Sequence, residues 1–149
     1  FYPMQTFSRQ KRVSFEEIPC FIEGSGEEEE AAIEALAAQL SHRVYRLSSE
    51  ARKYLHLSAV FACNFVNHCY AISAELLEKH GIPFDVMLPL IDETAAKVHQ
   101  MAPKDAQTGP AVRYDENVIR AQSQLLKNNP LVKDIYDRMS MNIHRLSEE

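Results

Sequence analysis

The chain has 149 residues, 46% hydrophobic and 25% charged, with a net charge of −5. That length suffices for one domain or two small lobes with a real core, and the composition is ordinary for a globular protein. With no basic run and no aromatic-plus-basic patch, nucleic acid is not expected as a partner. No apolar run approaches ~18–20 residues, so no membrane span is expected, and no basic start followed by an apolar core suggests a signal peptide.

The opening Phe1-Tyr2-Pro3-Met4-Gln5-Thr6-Phe7 reads as a strand or strand end. It lacks an initiator Met, which suggests a piece of a longer protein whose remainder lies on the N-terminal side. Pro19-Cys20-Phe21-Ile22-Glu23-Gly24 is a short apolar run ending in a turn, as a buried strand requires. Gly24-Ser25-Gly26 leads into an Ala/Leu-rich helix from Glu27 to about Leu40. His42 to Leu47 alternates as a second strand should. Strand, helix and strand make a βαβ unit within a parallel sheet. A phosphate-loop reading of Gly24-Ser25-Gly26 fails, because Glu29 stands where the third glycine of GxGxxG belongs. The carboxylates of Glu27, Glu28, Glu29 and Glu30 also occupy the positive end of the helix dipole.

A long helix is expected from about Glu50 to His80, capped by Ser48 or Ser49 and stopped by Gly81 and Pro83. It would span about 45 Å, as the spine of an all-helical lobe. A second helix runs from Phe84 to about Met101, with Val86, Leu90, Ile91, Thr94, Ala95 and Val98 as its apolar stripe. Thr108-Gly109-Pro110 is a tight turn. Asp115 caps a third helix that ends near Asn128, and Asn129 caps a fourth with Pro130 at its first position. The fold expected is mainly α, a short βαβ piece followed by about four helices.

The long helix carries the informative residues. At 100° per residue, His56, Val60, Asn64 and Asn67 fall within roughly an 80° sector, on a stretch apolar enough to be buried. Buried polar groups need hydrogen-bond partners in protein, water or ligand. His56 can donate a proton near neutral pH, and the Asn64 and Asn67 amides can orient a carboxylate, carbonyl or hydroxyl. Lys53 lies one turn earlier on the same side. The same stripe could equally bond neighbouring helices or a dimer mate, and His68 reads as a core or interface histidine. The six histidines are scattered without HxxxH or HExxH spacing, so no metal site is expected. Cys20, Cys63 and Cys69, odd in number and without CxxC spacing, read as small buried residues, reduced in a cytoplasmic protein. No nucleophile elbow or catalytic triad is legible.

Tyr2-Pro3-Met4-Gln5-Thr6-Phe7, Ile22-Glu23-Gly24, the run from Leu55 to His68, and Thr108-Gly109-Pro110-Ala111-Val112-Arg113-Tyr114-Asp115 together resemble one family. It is a Rossmann-like oxidoreductase family with a helical C-terminal domain of unknown function. Its members are labelled NADP oxidoreductases of the deazaflavin-coenzyme-dependent type. They are relatives of pyrroline-5-carboxylate reductase and the 6-phosphogluconate dehydrogenase superfamily. The resemblance implies that residues 1–48 are the last strands and helix of a Rossmann-like NAD(P)-binding domain, and 49–149 a helical domain for substrate and dimerisation. It implies a homodimer, a small-molecule substrate, and NADP held by a glycine fingerprint absent here. No cofactor-binding residue is therefore assigned in this chain, and none supports a deazaflavin. Hydroxyacid dehydrogenase relatives carry a K-x-x-x-N pair on the long helix, with Lys as proton donor and Asn on substrate. Asn64 takes the Asn position and Val60 the Lys position, so the usual acid is missing. His56 is its best replacement and Lys53 the second choice. Thr108 and Arg113 match the family's TGP-x-x-R turn, where Arg113 either clamps an anionic substrate or pins the turn to a helix. The function so implied is hydride transfer between nicotinamide and a small substrate. The alternative is a dimerisation or metabolite-sensing module without catalysis.

Overall fold

Cys20 and Ile22 of the sheet and Ala37 of the helix that packs on it are fully buried, with Ile18 nearly so, and they form the core of the N-terminal part. The computed structural model describes residues 1–10 and 12–148. The chain forms two compact units, Phe1–Asn67 and His68–Glu149.

In the first unit, strands β1 (Tyr2–Pro3), β2 (Cys20–Ile22) and β3 (Val44–Arg46) form a sheet in that order. β1 runs antiparallel to β2, pairing Tyr2 with Phe21. β2 runs parallel to β3, pairing Phe21 with Tyr45. Helix α1 (Glu27–Ala38) makes the crossover, so the expected βαβ unit is present. Gly24 is required by proximity: a Cβ there would lie 2.4 Å from the Glu30 backbone nitrogen. Buried Ser41 donates to the Ile18 carbonyl at 2.6 Å and so closes the layer between α1 and β3. Arg46 on β3 pairs with Glu30 and Glu34 of α1 at 3.0 and 2.5 Å. The acidic face of α1 thus meets a cation from its own unit.

From Ser49 to Glu78 every residue is helical, but not uniformly α. Helix α2 (Ser49–Ala59) passes into a π-helical segment, Val60–Phe65, and then into α3 (Val66–Glu78). The expected single α-helix is corrected in that middle stretch. Its burial is corrected as well. Leu57, Phe61, Phe65, His56, Asn64 and Asn67 are all exposed, because no element of the first unit covers that side. His68 is exposed too, so it is not a core histidine, and Cys63 is exposed while Cys20 is buried and Cys69 half-buried.

In the second unit, α3 ends where Gly81 adopts a left-handed φ of 68° and Ile82 bonds back to the Leu77 carbonyl. The expected second helix is shorter, a 3-10 turn (Phe84–Met87) and then α4 (Leu88–Lys97). Its stripe is not a buried face: Val86, Leu90 and Val98 are exposed. Asp115 caps α5 (Glu116–Leu125) through Val118 N–H, and Asn129 caps α6 (Pro130–Glu148) through Val132 N–H. Ser123, Leu126 and Ser140 are buried in this unit. No helix among the described residues is long and apolar enough to cross a membrane.

The start of α2 is doubly capped. Ser48 accepts from Ala51 N–H at 3.3 Å, while Glu23, just after β2, accepts from Ser49 N–H at 2.9 Å and from the Ser49 hydroxyl. The Ser49 hydroxyl, the Ser49 N–H and the Arg52 charge hold the Glu23 carboxyl below its ordinary range against a smaller opposing effect of desolvation. A carboxylate with a depressed folded pKa stabilises above its unfolded pKa and loses that contribution as pH falls through the folded value. Glu23→Gln is expected to lower the thermal midpoint at pH 7, with wild type and variant converging in acid. Thermal melts across the acid range check this, and a gap that widens in acid contradicts it.

Candidate functional site

The polar residues singled out on the long helix are spread along it from its capped end. Three residues beyond Glu50, Lys53 is exposed and paired with that same glutamate at 2.7 Å. It is a local i,i+3 pair, of the kind that contributes little to stability, and it occupies the ammonium with a neighbour on its own helix. One turn on, His56 has a partner far away in sequence. Its Nδ1 lies 2.9 Å from the Tyr2 hydroxyl. The two rings meet edge to face, 6.4 Å between centroids and 73° between planes. Tyr2 is fixed by the pairing of β1 with β2, so a strand holds the ring of a helical histidine whose other face is open to solvent.

Asn64 sits inside the π segment, which begins at Val60. Bonding from i to i+5 adds about one residue to the turn, so residues beyond it are rotated by roughly 100° relative to an uninterrupted α-helix. His56 and Asn67, nearly in line on ideal α spacing, are therefore not in line here. Among the described residues no side-chain hydrogen bond joins Asn64 or Asn67 to His56 or Lys53. π turns inside α-helices recur at functional sites because they open a backbone carbonyl and re-aim side chains. Nothing in the residue types of Val60–Phe65 announces one. Phe61 and Phe65 pack edge to face at 5.0 Å and, with Tyr54 and Leu57, form an exposed apolar stripe on the same stretch.

Thr108 and Arg113 belong to the second unit and are both exposed. Their turn is shaped by Gly109 at φ 107° and by Tyr114, a non-glycine residue in the left-handed region at φ 50°. That conformation costs a bulky residue about 1–2 kcal/mol. The Tyr114 ring stacks on His144 of α6 with centroids 4.2 Å apart. Asp115 N–H bonds to the Pro110 carbonyl at 3.0 Å, and the Ser147 hydroxyl lies 3.3 Å from the Val112 carbonyl. These contacts pin the turn to α6 through Tyr114 and Val112. The Arg113 guanidinium takes no part in them and has no ion pair among the described residues. A separate cleft of about 320 Å³ in this unit is floored by Ile72, Leu76, Leu126 and Val132, with Glu75 and Lys79 beside it. Its lining includes none of Lys53, His56, Asn64, Asn67, Thr108 or Arg113.

The chain's own βαβ unit does not fit a dinucleotide pyrophosphate. Glu27 to Glu30 fill the first turn of α1, where phosphate oxygens would have to sit. Gly24, the first glycine of that loop, is already packed against the Glu30 backbone. Among the described residues no group of three or more His, Cys, Asp or Glu is placed to hold a metal ion.

Residues 18–143 match a family model described as a domain of unknown function, DUF2520. Among solved structures, the chain is similar to a putative NADP oxidoreductase from Bacteroides fragilis, at 59% identity and a TM-score of 0.92, over 97% of this chain and 56% of that one. A protein from Thermotoga maritima shares the fold at 23% identity and a TM-score of 0.75, over 90% of this chain and 55% of its own. The chain thus spans little more than half the length of either. No curated protein matches it.

Proposed function

The chain belongs to the DUF2520 family, and from that premise we propose that it is the substrate-side part of an NADP-dependent oxidoreductase. In this reading residues 1–48 close a Rossmann-like domain and 49–149 form the helical domain for substrate and dimerisation. The support is the relative from Bacteroides fragilis, 59% identical and described as a putative NADP oxidoreductase. NADP, when bound, supplies or accepts the hydride. Its binding is assigned to chain beyond these 149 residues, because the βαβ unit here has no place for the pyrophosphate.

The observation that carries the assignment within this chain is the 2.9 Å contact between Tyr2 and His56. An exposed histidine with one ring nitrogen anchored and the other free is equipped to pass a proton to a bound ligand. Val60 stands where the resemblance expects a lysine, and His56 takes that role one turn earlier. Asn64 and Asn67 orient the substrate through their amides. Lys53, tied to Glu50, is a reserve donor. Thr108 and Arg113 hold an anionic group. By the same proposal the enzyme is cytoplasmic.

The exposed stripe of Tyr54, Leu57, Phe61 and Phe65 supports the proposal that the helix also forms a homodimer interface. Large apolar side chains clustered on one face favour association. The same stripe favours a second reading, a dimerisation or metabolite-sensing module without turnover.

Turnover of a histidine variant separates these readings. In the complete protein, His56→Ala is expected to lower NADPH oxidation, assayed with a panel of small carbonyl compounds and imines, by on the order of 10²-fold. Circular dichroism should be unchanged. Wild-type turnover in the variant rejects His56 as donor. The isolated chain is expected not to bind NADPH, and an affinity near about 1 μM would contradict the assignment of the cofactor to another part of the protein. Separately, sedimentation equilibrium is expected to show a dimer, and a monomer at high concentration rejects the interface.

A further inference from the structure

We propose that Tyr2 is a positioning residue that fixes the tautomer of His56 and so makes its Nε2 a hydrogen-bond donor. The inference rests on the reading of His56 as the proton-handling group, and it extends that reading to the strand. A neutral imidazole has one N–H donor and one bare acceptor nitrogen. A phenol, with an ordinary pKa near about 10, is a far stronger acid than a neutral imidazole N–H. The 2.9 Å contact is therefore a phenol O–H donated to bare Nδ1. With Nδ1 bare, the ring proton is on Nε2.

The geometry makes this more than a surface contact. Tyr2 lies on β1, registered opposite Phe21 on β2, and Met4 N–H bonds to the Pro19 carbonyl at 2.8 Å just beyond the pair. The phenol is thus held by sheet hydrogen bonds rather than by a loop. Phe21 in turn stacks on Tyr45 of β3, with centroids 5.5 Å apart, which braces the strand that Tyr2 pairs with. His56 is held from the other side by its helix, whose start is capped by Glu23 and Ser48. Among the described residues, Nε2 has no hydrogen-bond partner. The consequence is chemical: the atom placed opposite His56 is an acceptor, a carbonyl or carboxylate oxygen, rather than an ammonium or an N–H.

The test is nitrogen NMR of the complete protein labelled with 15N-histidine, recorded at about pH 8.5, well above the ordinary histidine pKa. His56→Gln assigns the two ring resonances. In wild type, His56 is expected to be a single tautomer, protonated at Nε2, with the bare Nδ1 resonance displaced by the phenol proton. In Tyr2→Phe, which keeps the ring and loses the hydroxyl, the Nδ1 resonance should move to its unbonded position and an Nδ1-protonated population should emerge. Protonation of Nδ1 in wild type overturns the proposal, and so does a Tyr2→Phe spectrum identical to wild type. The failure of the underlying reading looks different. The tautomer and its response to Tyr2→Phe then stand as stated, while His56→Ala retains full turnover.

Discussion

One carboxylate ties the sheet to the helix, and the arrangement of the first unit depends on it. Glu23 leaves the end of β2 and accepts both the backbone N–H and the hydroxyl of Ser49. A helix cap of this kind satisfies orphan donors and sets the direction and rotation of everything that follows. The same strand, β2, pairs through Phe21 with Tyr2. One strand therefore positions the phenol from its side and the helix start from its end. His56, two turns into that helix, arrives within 2.9 Å of the Tyr2 hydroxyl as a result. Weakening the Glu23 cap would loosen the histidine without touching it.

The helix beyond His56 combines features that a merely structural spine does not need. It changes to π geometry from Val60 to Phe65, and it exposes aromatic side chains over the same turns. A π turn gives up regular i→i+4 bonding, a local cost that persists where the surroundings or a ligand compensate it. Asn64 lies within that segment. The segment thus presents a polar amide in a deformed turn beside exposed Phe61 and Phe65, the features on which the proposed substrate and dimer roles rest.

Much of the fold was legible because its signals are local. Asp115, Asn129 and Pro130 name their helix starts, Gly81 names a stop, and the glutamates of α1 rule out a phosphate loop, all through interactions spanning a few residues. What was not legible involved either distance or geometry off the α period. The Tyr2–His56 contact joins residues 54 apart in sequence, and no periodicity reports such a pair. The π turn has no residue signature, so the even 100° spacing that aligned His56 with Asn67 overstated their alignment. The apolar content of the long helix predicts its burial. That inference assumes a covering layer, which the first unit does not contain around Leu57, Phe61 and Phe65. The same apolar content is left as an exposed stripe on the first unit.

In the proposed function, the helical stretch from His56 to Phe65 faces the reacting end of a dinucleotide held elsewhere in the protein. A crystal structure of the complete protein with NADPH bound tests it directly. The nicotinamide ring is expected beside this stretch, with His56 Nε2 and the Asn64 amide opening onto the space where a substrate would stack on it. A nicotinamide bound away from residues 56–65, with the helix face sealed by other chain, would contradict it.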